Sequence, residues 1–540
     1  MKIRIFALLS AIAMAAALAG CGTRDKGPQS ADPPSDGQID PGETIAPVNF
    51  PLEKNITLEF TYFGSLSLTK DLGEMGFLKQ MEKDTNITIK WRQYRTGADE
   101  AKTLMFASGS LPDAFFGTGI SDNDIYTNPN SFMKLNRYLD SDLCGNIQAM
   151  FQEYPDLKKS CAMTDGSLYG LPSVKPFRPD YANEIMINKK WLDALNLPVP
   201  QTIEELEQAL IAFRDKDPGG IGKSNVIPMD FNQGVGTFSS MAFLGSFGIS
   251  DDGSTTGHFN VKDGKVRWID VTSEYKNFVS WLSKLYKSSL INKEVFTQDY
   301  SMFQSKSKDP KIGARVGVTV GWSIEDRVGQ YADQYVLLPP LKSRFCSDPK
   351  IGASTFSQKY TFNTFEMSSK NKYPRETMAW INKMYSQEYS LQCFFGSEPE
   401  CVEKTETGFT VKEPAAGYFL DAWKWLNAMA DNGPLYVSKD TEAKTKIPAE
   451  LQARLAQDKI YHPYFDKETY PVLKLDKDLQ DEVTPIWSDV TDYAYTNFTK
   501  WIVNGGIDTG WDKYVSQMNK MGLERMIEVY QQAYDAYIRQ

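Results

Sequence analysis

The sequence contains very few histidines and cysteines for its length. Its 540 residues include two histidines, His258 and His462, and six cysteines. A multi-histidine metal site and histidine-dependent nucleophilic catalysis are therefore both disfavoured. No CxxC spacing, nucleophile elbow, phosphate-binding loop or HExxH motif occurs. The sequence predicts neither a metal site nor a cofactor, and no motif sets apart a catalytic residue.

Positive charge is not in excess either. There are 59 Lys and Arg residues against 69 Asp and Glu residues, which leaves a net charge of -10 at pH 7. Proteins that bind nucleic acid are typically basic, so a nucleic-acid partner is not expected. The same balance mildly disfavours a strongly anionic substrate.

The amino terminus has the features of an export signal. Lys2 and Arg4 precede an apolar run over residues 5–18, which is shorter than the roughly 20 residues that a membrane helix needs. Leu18-Ala19-Gly20-Cys21 then resembles the lipobox of bacterial lipoproteins. The resemblance implies that residues 1–20 are a signal peptide, and that Cys21 is acylated at the extracytoplasmic face of the cell membrane.

The residues after Cys21 differ in character from the rest of the chain. Residues 21–50 are rich in Pro, Gly, Ser and Asp and poor in large apolar side chains. Such a segment buries too little surface to offset chain entropy, so we expect a disordered tether. The remaining residues contain no further long apolar run, and their number suggests two lobes of comparable size.

Five cysteines follow Cys21, and export permits disulfides. Cys144 and Cys161 form one close pair in the sequence, and Cys393 and Cys401 form another. Each pair is as compatible with buried free thiols as with a disulfide, and Cys346 would remain unpaired in either case.

The start of the globular part reads as α/β. Ile56, Leu58, Phe60 and Tyr62 alternate with polar residues, and a similar alternation follows over residues 87–91. A helical pattern lies between the two, which predicts a βαβ unit with parallel strands. In sheets of this kind, ligands bind at the carboxyl ends of the strands.

Further short segments occur in an order that resembles one known family. Ala107-Ser108-Gly109-Ser110-Leu111-Pro112-Asp113 is similar to its ASGxxPD turn, and residues 165–172 resemble its DGxxYGLP segment. Residues 187–202 resemble INKxWLxxLxLxxPxT, and Val316 to Trp322 resemble a strand that ends in a site aromatic residue. The chain is thereby similar to the carbohydrate-binding, maltose-binding-type solute-binding lipoproteins of ABC importers.

The resemblance implies an α/β periplasmic-binding-protein type II fold, with two discontinuous lobes and a ligand cleft between them. Lobe 1 would comprise residues 51–184 and 350–470, and lobe 2 would comprise residues 185–349 and 471–540. The implied function is to bind an oligosaccharide and to deliver it to the permease subunits of the importer. The implied protein is a lipid-anchored monomer and not an enzyme.

One loop departs from the family pattern. In relatives, the loop after the helix that begins near Thr202 resembles an EF-hand calcium loop. Here Gly219, Ile221 and Val226 occupy positions where oxygen ligands are expected, which leaves Asp217 and Asn225. Calcium takes 6–8 oxygen ligands, so we expect a glycine-rich turn that binds calcium weakly at best.

A sugar ligand needs aromatic faces for its C–H surfaces and polar side chains for its hydroxyl groups. Trp322 is the best aromatic candidate, since the resemblance points to it and an apolar strand ends there. The other aromatic candidates are Tyr62, Phe63, Phe116, Tyr181, Trp423 and Trp487. The polar candidates are Asp230 and Asn232, followed by Asn183, Glu184, Asp326 and Asp489.

Three alternatives stay open at this point. A secreted glycoside hydrolase with two carboxylates is the first, although no pair of acidic residues is distinguished from the others. A binding protein for a peptide, an amino-sugar or an anionic uronide is the second. An adhesin or sensor subunit that binds without transport is the third.

Overall fold

The computed structural model describes residues 45–64, 68, 70–233, 238–250, 258–352 and 359–539. The predicted signal peptide, Cys21 and most of the predicted tether lie outside these residues. The described strands are β1 Ile56–Phe63, β2 Ile87–Tyr94, β3 Ala114–Gly117, β4 Gly170–Val174, β5 Glu184–Asn188, β6 Ile227–Asp230, β7 Phe259–Lys262, β8 Lys265–Trp268, β9 Val316–Gly321, β10 Tyr335–Leu338, β11 Tyr360–Met367, β12 Val402–Lys404, β13 Phe409–Val411 and β14 Thr445–Lys446.

Helices connect and cover these strands. The described α-helices are Gly76–Thr85, Ala98–Ser108, Asp122–Thr127, Asn136–Leu139, Gly145–Glu153, Pro155–Cys161, Lys189–Ala194, Ile203–Lys216, Ser273–Lys287, Tyr300–Ser307, Ile324–Val328, Pro374–Met384, Gln387–Phe395, Leu420–Asn427, Lys439–Ala443, Ala449–Asp458, Lys477–Asn504, Ile507–Lys520 and Leu523–Arg539. None of the helices in the described residues combines the length and the hydrophobicity that a transmembrane span requires.

Two mixed sheets organise the chain. The larger sheet has the strand order β2-β1-β3-β11-β4, and the second has the order β10-β5-β9-β6. β1 and β2 are parallel over their full length, with the helix Gly76–Thr85 between them in the sequence. The predicted βαβ unit is therefore confirmed. A crossover helix of this kind is what allows neighbouring strands to run in the same direction.

Each large sheet belongs to its own hydrophobic core. One core is built from residues 58–177 and 365–451, and we call this part of the protein lobe 1. The other core is built from residues 185–341 and 470–534, and we call it lobe 2. The protein therefore has the two-lobed α/β architecture that the sequence resemblance implies, and each lobe combines separate stretches of the chain.

The chain passes between the two cores three times. Phe177 belongs to the core of lobe 1 and Ile185 to that of lobe 2. The later passages lie between residues 342–359 and between residues 456–469. A small separate cluster of Tyr181, Ile351 and Tyr461 draws one residue from each passage. The predicted boundaries at residues 350 and 470 fall within or next to these passages, and they stay predictions.

The end of the predicted tether needs a correction. Ile45, Val48 and Phe50 are partly buried against the core of lobe 1. Residues 45–50 are therefore part of the folded unit, because their apolar side chains find a surface on which to pack. The average composition of residues 21–50 does not predict these contacts, because the three apolar residues are few among many polar ones.

Local side-chain and turn chemistry fixes a helix start and a hairpin in lobe 2. Thr202 Oγ1 accepts a hydrogen bond from the Glu205 amide at 3.1 Å, and Glu205 Oε2 accepts one from the Gln201 amide at 2.7 Å. The first bond caps the helix Ile203–Lys216, while the second reaches one residue further back than a standard capping box. β7 and β8 form a hairpin, whose turn residues Asp263 and Gly264 both have positive φ.

The cysteines after Cys21 are free thiols in the structure. Cys144 and Cys161 are buried, and burial raises the pKa of each thiol to about 12. Burial likewise raises the pKa of Cys401 to about 11. Thiols held in this state resist ionisation and react poorly, so they act as small apolar residues of the core.

The loop with the weakened calcium pattern satisfies its own polar groups. The Asp217 carboxylate accepts hydrogen bonds from the amides of Ile221 and Gly222 at 3.1 and 2.8 Å. The Asn225 side chain donates to the Ile221 carbonyl at 2.8 Å. The two remaining ligand-type side chains thus close the turn themselves.

Candidate functional site

A cleft of about 800 Å³ lies between the two lobes. Lobe 2 contributes Phe238, Tyr300, Gln304, Lys308, Trp322 and Asp326 to its walls. Lobe 1 contributes Lys175, Arg178, Thr361, Tyr418, Asp421, Ala422, Trp425, Leu426, Asp431 and Asn432. The volume lies within the range of about 300–1,000 Å³ that ligand pockets typically have. The walls combine aromatic rings with ionised and amide side chains.

Trp322 is held in the cleft wall by the strand before it and the helix after it. It directly follows the buried strand β9, and Ser323 caps the helix Ile324–Val328 through the amide of Asp326. The same helix carries Arg327, which is fully buried and pairs with buried Asp230 at 3.1 Å. This ion pair inside lobe 2 anchors the turn on which Trp322 lies.

Two guanidinium groups from lobe 1 pack against the Trp322 ring. The Arg178 guanidinium carbon lies 4.7 Å from the ring centroid, and that of Arg454 lies 5.1 Å away. Cations at these distances are attracted to the ring face. The indole N–H also donates to Asp421. Trp322 therefore links the two lobes while lining the cleft.

An ionic network forms the cleft wall of lobe 1. The Arg178 guanidinium binds both oxygens of Asp431, and it lies 3.4 Å from Asp421. Lys424 Nζ lies 2.9 Å from Asp421 and 3.8 Å from Asp431. Lys175 Nζ lies 3.7 Å from Asp431. The two carboxylates are thus shared among three cations, which orients their oxygens towards lobe 1.

Burial and charge shift the pKa values of this network in opposite directions. Burial lowers the pKa of Lys424 to about 7, and the neighbouring Arg178 adds to the effect. Burial also lowers the pKa of Lys175 well below its usual value. Burial acts to raise the pKa of Asp421, but Lys424 and Arg178 outweigh it and hold that pKa below its usual range. The carboxylate stays ionised, while the crowded lysines lose protons easily.

The cleft wall of lobe 2 is less tightly paired. The Gln304 side chain donates to Asp326 at 3.2 Å and to the Tyr300 hydroxyl at 2.7 Å. Gln304 Oε1 is buried and has no hydrogen-bond partner among the described residues. Burial raises the pKa of Asp326, and Lys308 partly opposes this rise. Asp326 and Gln304 thus keep acceptor oxygens available for a ligand.

Three of the predicted aromatic residues lie in the core of lobe 1 rather than in the cleft. Tyr62, Phe63 and Phe116 are between 0 and 2 % exposed. Phe116 packs against Phe60 and other aromatic rings of the sheet. These residues do lie at the carboxyl ends of β1 and β3, but their side chains point into packed layers. Tyr62 comes closest, since its hydroxyl neighbours Asn432 of the cleft wall.

Two further predicted tryptophans pack elsewhere. Trp487 lies against Phe259 and Trp268 of lobe 2, at centroid distances of 5.8 and 5.3 Å. Trp423 lies on the helix Leu420–Asn427 and packs against Tyr418, which precedes that helix. Helical periodicity turns Trp423 away from the cleft, and its neighbour Trp425 lines the cleft instead.

Tyr181 and Asn232 are also buried away from the cleft. Tyr181 is 4 % exposed and packs on Tyr461 at 4.7 Å, between the lobes. Asn232 is fully buried, and neither Oδ1 nor Nδ2 of its side chain has a hydrogen-bond partner among the described residues. Asp230 supports Trp322 through Arg327, as described above, and does not line the cleft.

The additional polar candidates divide in the same way. Asp326 lines the cleft, whereas Asp489 is exposed on the helix Lys477–Asn504. Asn183 is half-buried in the first passage between the lobes. Glu184 is fully buried, with Arg454 Nη1 at 2.6 Å.

Sequence reasoning missed most of the lobe 1 wall. Lys175, Arg178 and Asp431 carried no motif, and their contacts join residues more than 250 positions apart. Tyr418 lies in a loop and Trp425 in a helix. Nothing in the sequence distinguishes them from ordinary surface and core residues. Residues 165–172, which resemble the DGxxYGLP segment of the family, were the one available signal in the sequence, because Lys175 and Arg178 follow them closely.

One group of side chains has the composition of a metal site. Ligand atoms of Asp180, Asp458 and His462 lie within 4.8 Å of one another. However, the Asp458 carboxylate accepts hydrogen bonds from the backbone amides of Asp180 and Tyr181, at 2.9 and 3.0 Å. Lys359 Nζ also lies 2.7 Å from Asp180. This group therefore ties the connecting passages together by hydrogen bonds and ion pairs.

Comparison with known proteins shows which proteins the chain is similar to. No protein-family model matches it. Over 557 aligned residues it is 28% identical to the fructooligosaccharide ABC transporter substrate-binding protein FusA of Streptococcus pneumoniae serotype 4, with 99% of each chain covered. The structure of FusA in complex with kestose superposes with a TM-score of 0.81, covering 90% of this chain and 100% of FusA. Over nearly its whole length, the chain is similar to ABC-transporter substrate-binding proteins.

Two further similarities widen the range of known ligands. An HMO-binding, ABC-transporter-associated solute-binding protein from Bifidobacterium longum infantis superposes with a TM-score of 0.80 at 26% identity, over 90% of this chain and 99% of that one. The polygalacturonan/rhamnogalacturonan-binding protein YtcQ of Bacillus subtilis is 27% identical over 250 residues, 44% of this chain and 46% of YtcQ. Each of these relatives is described by a binding role, in agreement with the prediction of a solute-binding protein rather than an enzyme.

Proposed function

We propose that the protein is a cell-surface receptor that captures an oligosaccharide in the cleft between its lobes and delivers it to an ABC importer. One observation carries the assignment of the ligand site. The interlobe cleft brings the Trp322 face together with acceptor oxygens of Asp326 and Gln304. An aromatic face suits the C–H surface of a sugar ring, and the oxygens suit its hydroxyl groups.

The charges of the cleft favour a neutral sugar. The lining cations are Lys175, Arg178 and Lys308, and the lining carboxylates are Asp326, Asp421 and Asp431. Asp421 and Asp431 already pair with Arg178. Since a buried unpaired charge is costly, a neutral ligand leaves these pairs undisturbed. The known ligands of FusA, fructooligosaccharides and kestose, support the same class.

Closure of the lobes on the ligand would couple binding to delivery. Hinge closure around a ligand is the usual behaviour of two-lobed binding proteins. The Trp322 ring already contacts Arg178 and Arg454 across the lobes, so a sugar on Trp322 would lie where the two walls meet. The closed, ligand-bound form would be the one that the permease recognises.

A thermal-shift panel tests this assignment. The protein, expressed from a residue after Cys21, is heated with fructooligosaccharides, malto-oligosaccharides, galacturonan oligosaccharides and short peptides. A ligand present at 100 times its dissociation constant adds about 2.7 kcal/mol to the free energy of unfolding. We expect a neutral oligosaccharide to raise Tm. Stabilisation by a peptide alone would contradict the proposal, and so would release of new reducing ends from any glycan.

An anionic oligosaccharide is the second candidate. Lys308 lines the cleft and makes no ion pair among the described residues, and burial lowers the pKa of its ammonium group. A uronide carboxylate at this position would pair with Lys308 and restore its charge. The similarity to YtcQ, a polygalacturonan/rhamnogalacturonan-binding protein, supports the inclusion of galacturonan oligosaccharides in the panel. Stabilisation by galacturonan oligosaccharides that is lost in Lys308→Met would favour it.

We further propose that Cys21 carries the lipid anchor. The lipobox-like segment Leu18-Ala19-Gly20-Cys21 supports this assignment, and palmitate labelling in cells would test it. We expect label on the wild-type protein and none on Cys21→Ser, which should appear in the medium. Cys346→Ser is the matched control, because Cys346 is a free thiol that is not fully buried. Equal labelling of wild type and Cys21→Ser would contradict the anchor.

A further inference from the structure

The segment that enters lobe 2 after the third passage also contacts lobe 1. Leu475 is buried in the core of lobe 2, and Leu473 packs against that core. Lys474 lies between these two anchored residues, but its side chain reaches into lobe 1, where it is 6% exposed. A backbone that is fixed to lobe 2 therefore carries a cation that is buried in lobe 1.

Lobe 1 receives the Lys474 ammonium group with oxygen atoms. Nζ lies 2.9 Å from Asp122 Oδ1 and donates to the Cys161 carbonyl at 3.0 Å. The Asn363 side chain donates to the same Asp122 oxygen at 2.9 Å, which orients the carboxylate. A buried cation is tolerated only when it is paired and hydrogen-bonded, and both requirements are met here across the boundary between the lobes.

A buried carboxyl group near Asp122 strengthens the preference of lobe 1 for a cation. Glu366 of β11 is fully buried, and neither oxygen of its carboxyl group has a hydrogen-bond partner among the described residues. Burial raises the pKa of Glu366 well above its usual value. Asp122 and Asp124 add to this rise, whereas Lys474 opposes it. The acidic groups of lobe 1 thus interact favourably with the lysine that lobe 2 supplies.

A second hydrogen bond joins the lobes beside the first. The Tyr126 hydroxyl donates to the Leu475 carbonyl at 2.6 Å. Tyr126 and Asp122 belong to the same helix, Asp122–Thr127, so one helix of lobe 1 binds two adjacent residues of lobe 2. Neither Lys474 nor Tyr126 is among the described residues that line the cleft. A ligand in the cleft would therefore leave both bonds in place.

We propose that Lys474 and Tyr126 form a latch, which holds the two lobes together around the cleft and slows the release of a bound ligand. The same arrangement of the lobes brings Trp322 against Arg178 and Arg454, so the latch and the cleft walls are engaged together. Contacts present in one conformation only shift the equilibrium towards it. The inference rests on the proposed function and adds to it a control of ligand residence time by residues outside the cleft.

Two variants and two measurements test the latch. Lys474→Met removes the charge and keeps the apolar part of the side chain, and Tyr126→Phe removes only a hydroxyl group. Lys477→Met is the matched control, because Lys477 pairs with Asp481 on its own helix in lobe 2. Small-angle X-ray scattering gives the radius of gyration without ligand. Stopped-flow tryptophan fluorescence gives the dissociation rate of kestose.

We expect Lys474→Met to raise the dissociation rate of kestose about tenfold, which corresponds to about 1.4 kcal/mol. Tyr126→Phe should raise it about threefold, because a hydrogen bond between neutral groups contributes less than one to a charged group. Both variants should have a larger radius of gyration than wild type, since their lobes separate more often. Lys477→Met should match wild type in both measurements.

A double-mutant cycle distinguishes the latch from a general loss of structure. Asp122→Asn removes the other partner of the ion pair, so it should also speed dissociation. Combined with Lys474→Met, it should speed dissociation by less than the product of the two single effects, because both changes remove the same bond. Single effects that simply multiply would contradict a direct bond between the lobes.

Other outcomes separate this inference from the proposed function. Wild-type dissociation rates and radii of gyration in both variants would overturn the latch. Slower dissociation from Lys474→Met would overturn it as well, because the bond would then stabilise lobes that are further apart. Wild-type protein that binds no oligosaccharide of any class would refute the proposed function, and the radius of gyration without ligand would then decide on the latch alone.

Discussion

Replacement of Trp322 by Ala is the most informative single change. The ring contributes a flat face to the cleft, and it holds Arg178 and Arg454 at centroid distances of 4.7 and 5.1 Å. The variant removes the surface on which a sugar would lie, together with the N–H that donates to Asp421. Binding and stability should therefore both decrease, by amounts that can be worked out separately.

The loss of binding is the larger of the two effects. Aromatic pairs contribute about 0.5–1.5 kcal/mol beyond their area, and we take the upper value for a sugar face on the indole ring. Covering about 60 Å² of apolar surface adds about 1.5 kcal/mol at about 25 cal/mol per Å². The sum of about 3 kcal/mol corresponds to a Kd about 100-fold higher. The two lost cation–π contacts, at about 0.5–1 kcal/mol each, should lower the free energy of unfolding by about 1–2 kcal/mol.

Calorimetric titration and urea unfolding measure these quantities on the same protein. Trp322→Phe keeps an aromatic face and should fall between wild type and Trp322→Ala. Trp487→Phe is the control for the loss of a tryptophan, since Trp487 packs within lobe 2 and should leave Kd unchanged. A folded Trp322→Ala protein that binds its oligosaccharide with wild-type Kd would refute the reasoning.

The remaining predictions concern the support of the cleft, the calcium-type loop and pH. Arg327→Met leaves Asp230 buried without its cation and should lower the free energy of unfolding by about 3–5 kcal/mol; a loss below 1 kcal/mol in urea unfolding would contradict the supporting role of this pair. A calcium chelator should leave Tm unchanged, because the loop's own amides occupy the Asp217 carboxylate; a clear fall in Tm that added calcium reverses would refute this. Burial raises the pKa of Glu184 to about 8 in the folded protein, despite Arg454 nearby. Between its unfolded value of about 4.3 and about 8 the unfolded state binds fewer protons at this residue, so its contribution to stability falls as pH rises. Glu184→Gln removes that contribution. The free energy of unfolding of the variant minus that of wild type should therefore increase from pH 5 to 8; parallel pH profiles would be evidence against the shift.

The regular elements of the fold were predictable because their signals are local. The alternation in β1 and β2, the Thr202 cap and the Asp263-Gly264 turn each depend on a few adjacent residues. Burial on one face is enough to produce the alternation, and one hydroxyl is enough to cap a helix. The division into two lobes followed from chain length and from the resemblance to a known family.

The site was predictable only in part, because it depends on contacts between distant residues. A strand pattern indicates where a strand ends but not which side chain faces the ligand. Trp322 was correctly expected at the end of a strand in the cleft wall, whereas Phe116 ends its strand within a packed aromatic layer. The pairing of Arg178 with Asp431 joins residues 253 positions apart, and nothing in the local sequence of either residue indicates the other.

The most direct measurement of the central claim is a crystal structure of the protein with the oligosaccharide that stabilises it most. The account predicts a sugar ring against Trp322, with hydroxyl groups within hydrogen-bond distance of Asp326 and Gln304, enclosed by both lobes. Sugar bound outside the cleft, or a cleft that stays unoccupied at saturating oligosaccharide, would contradict it.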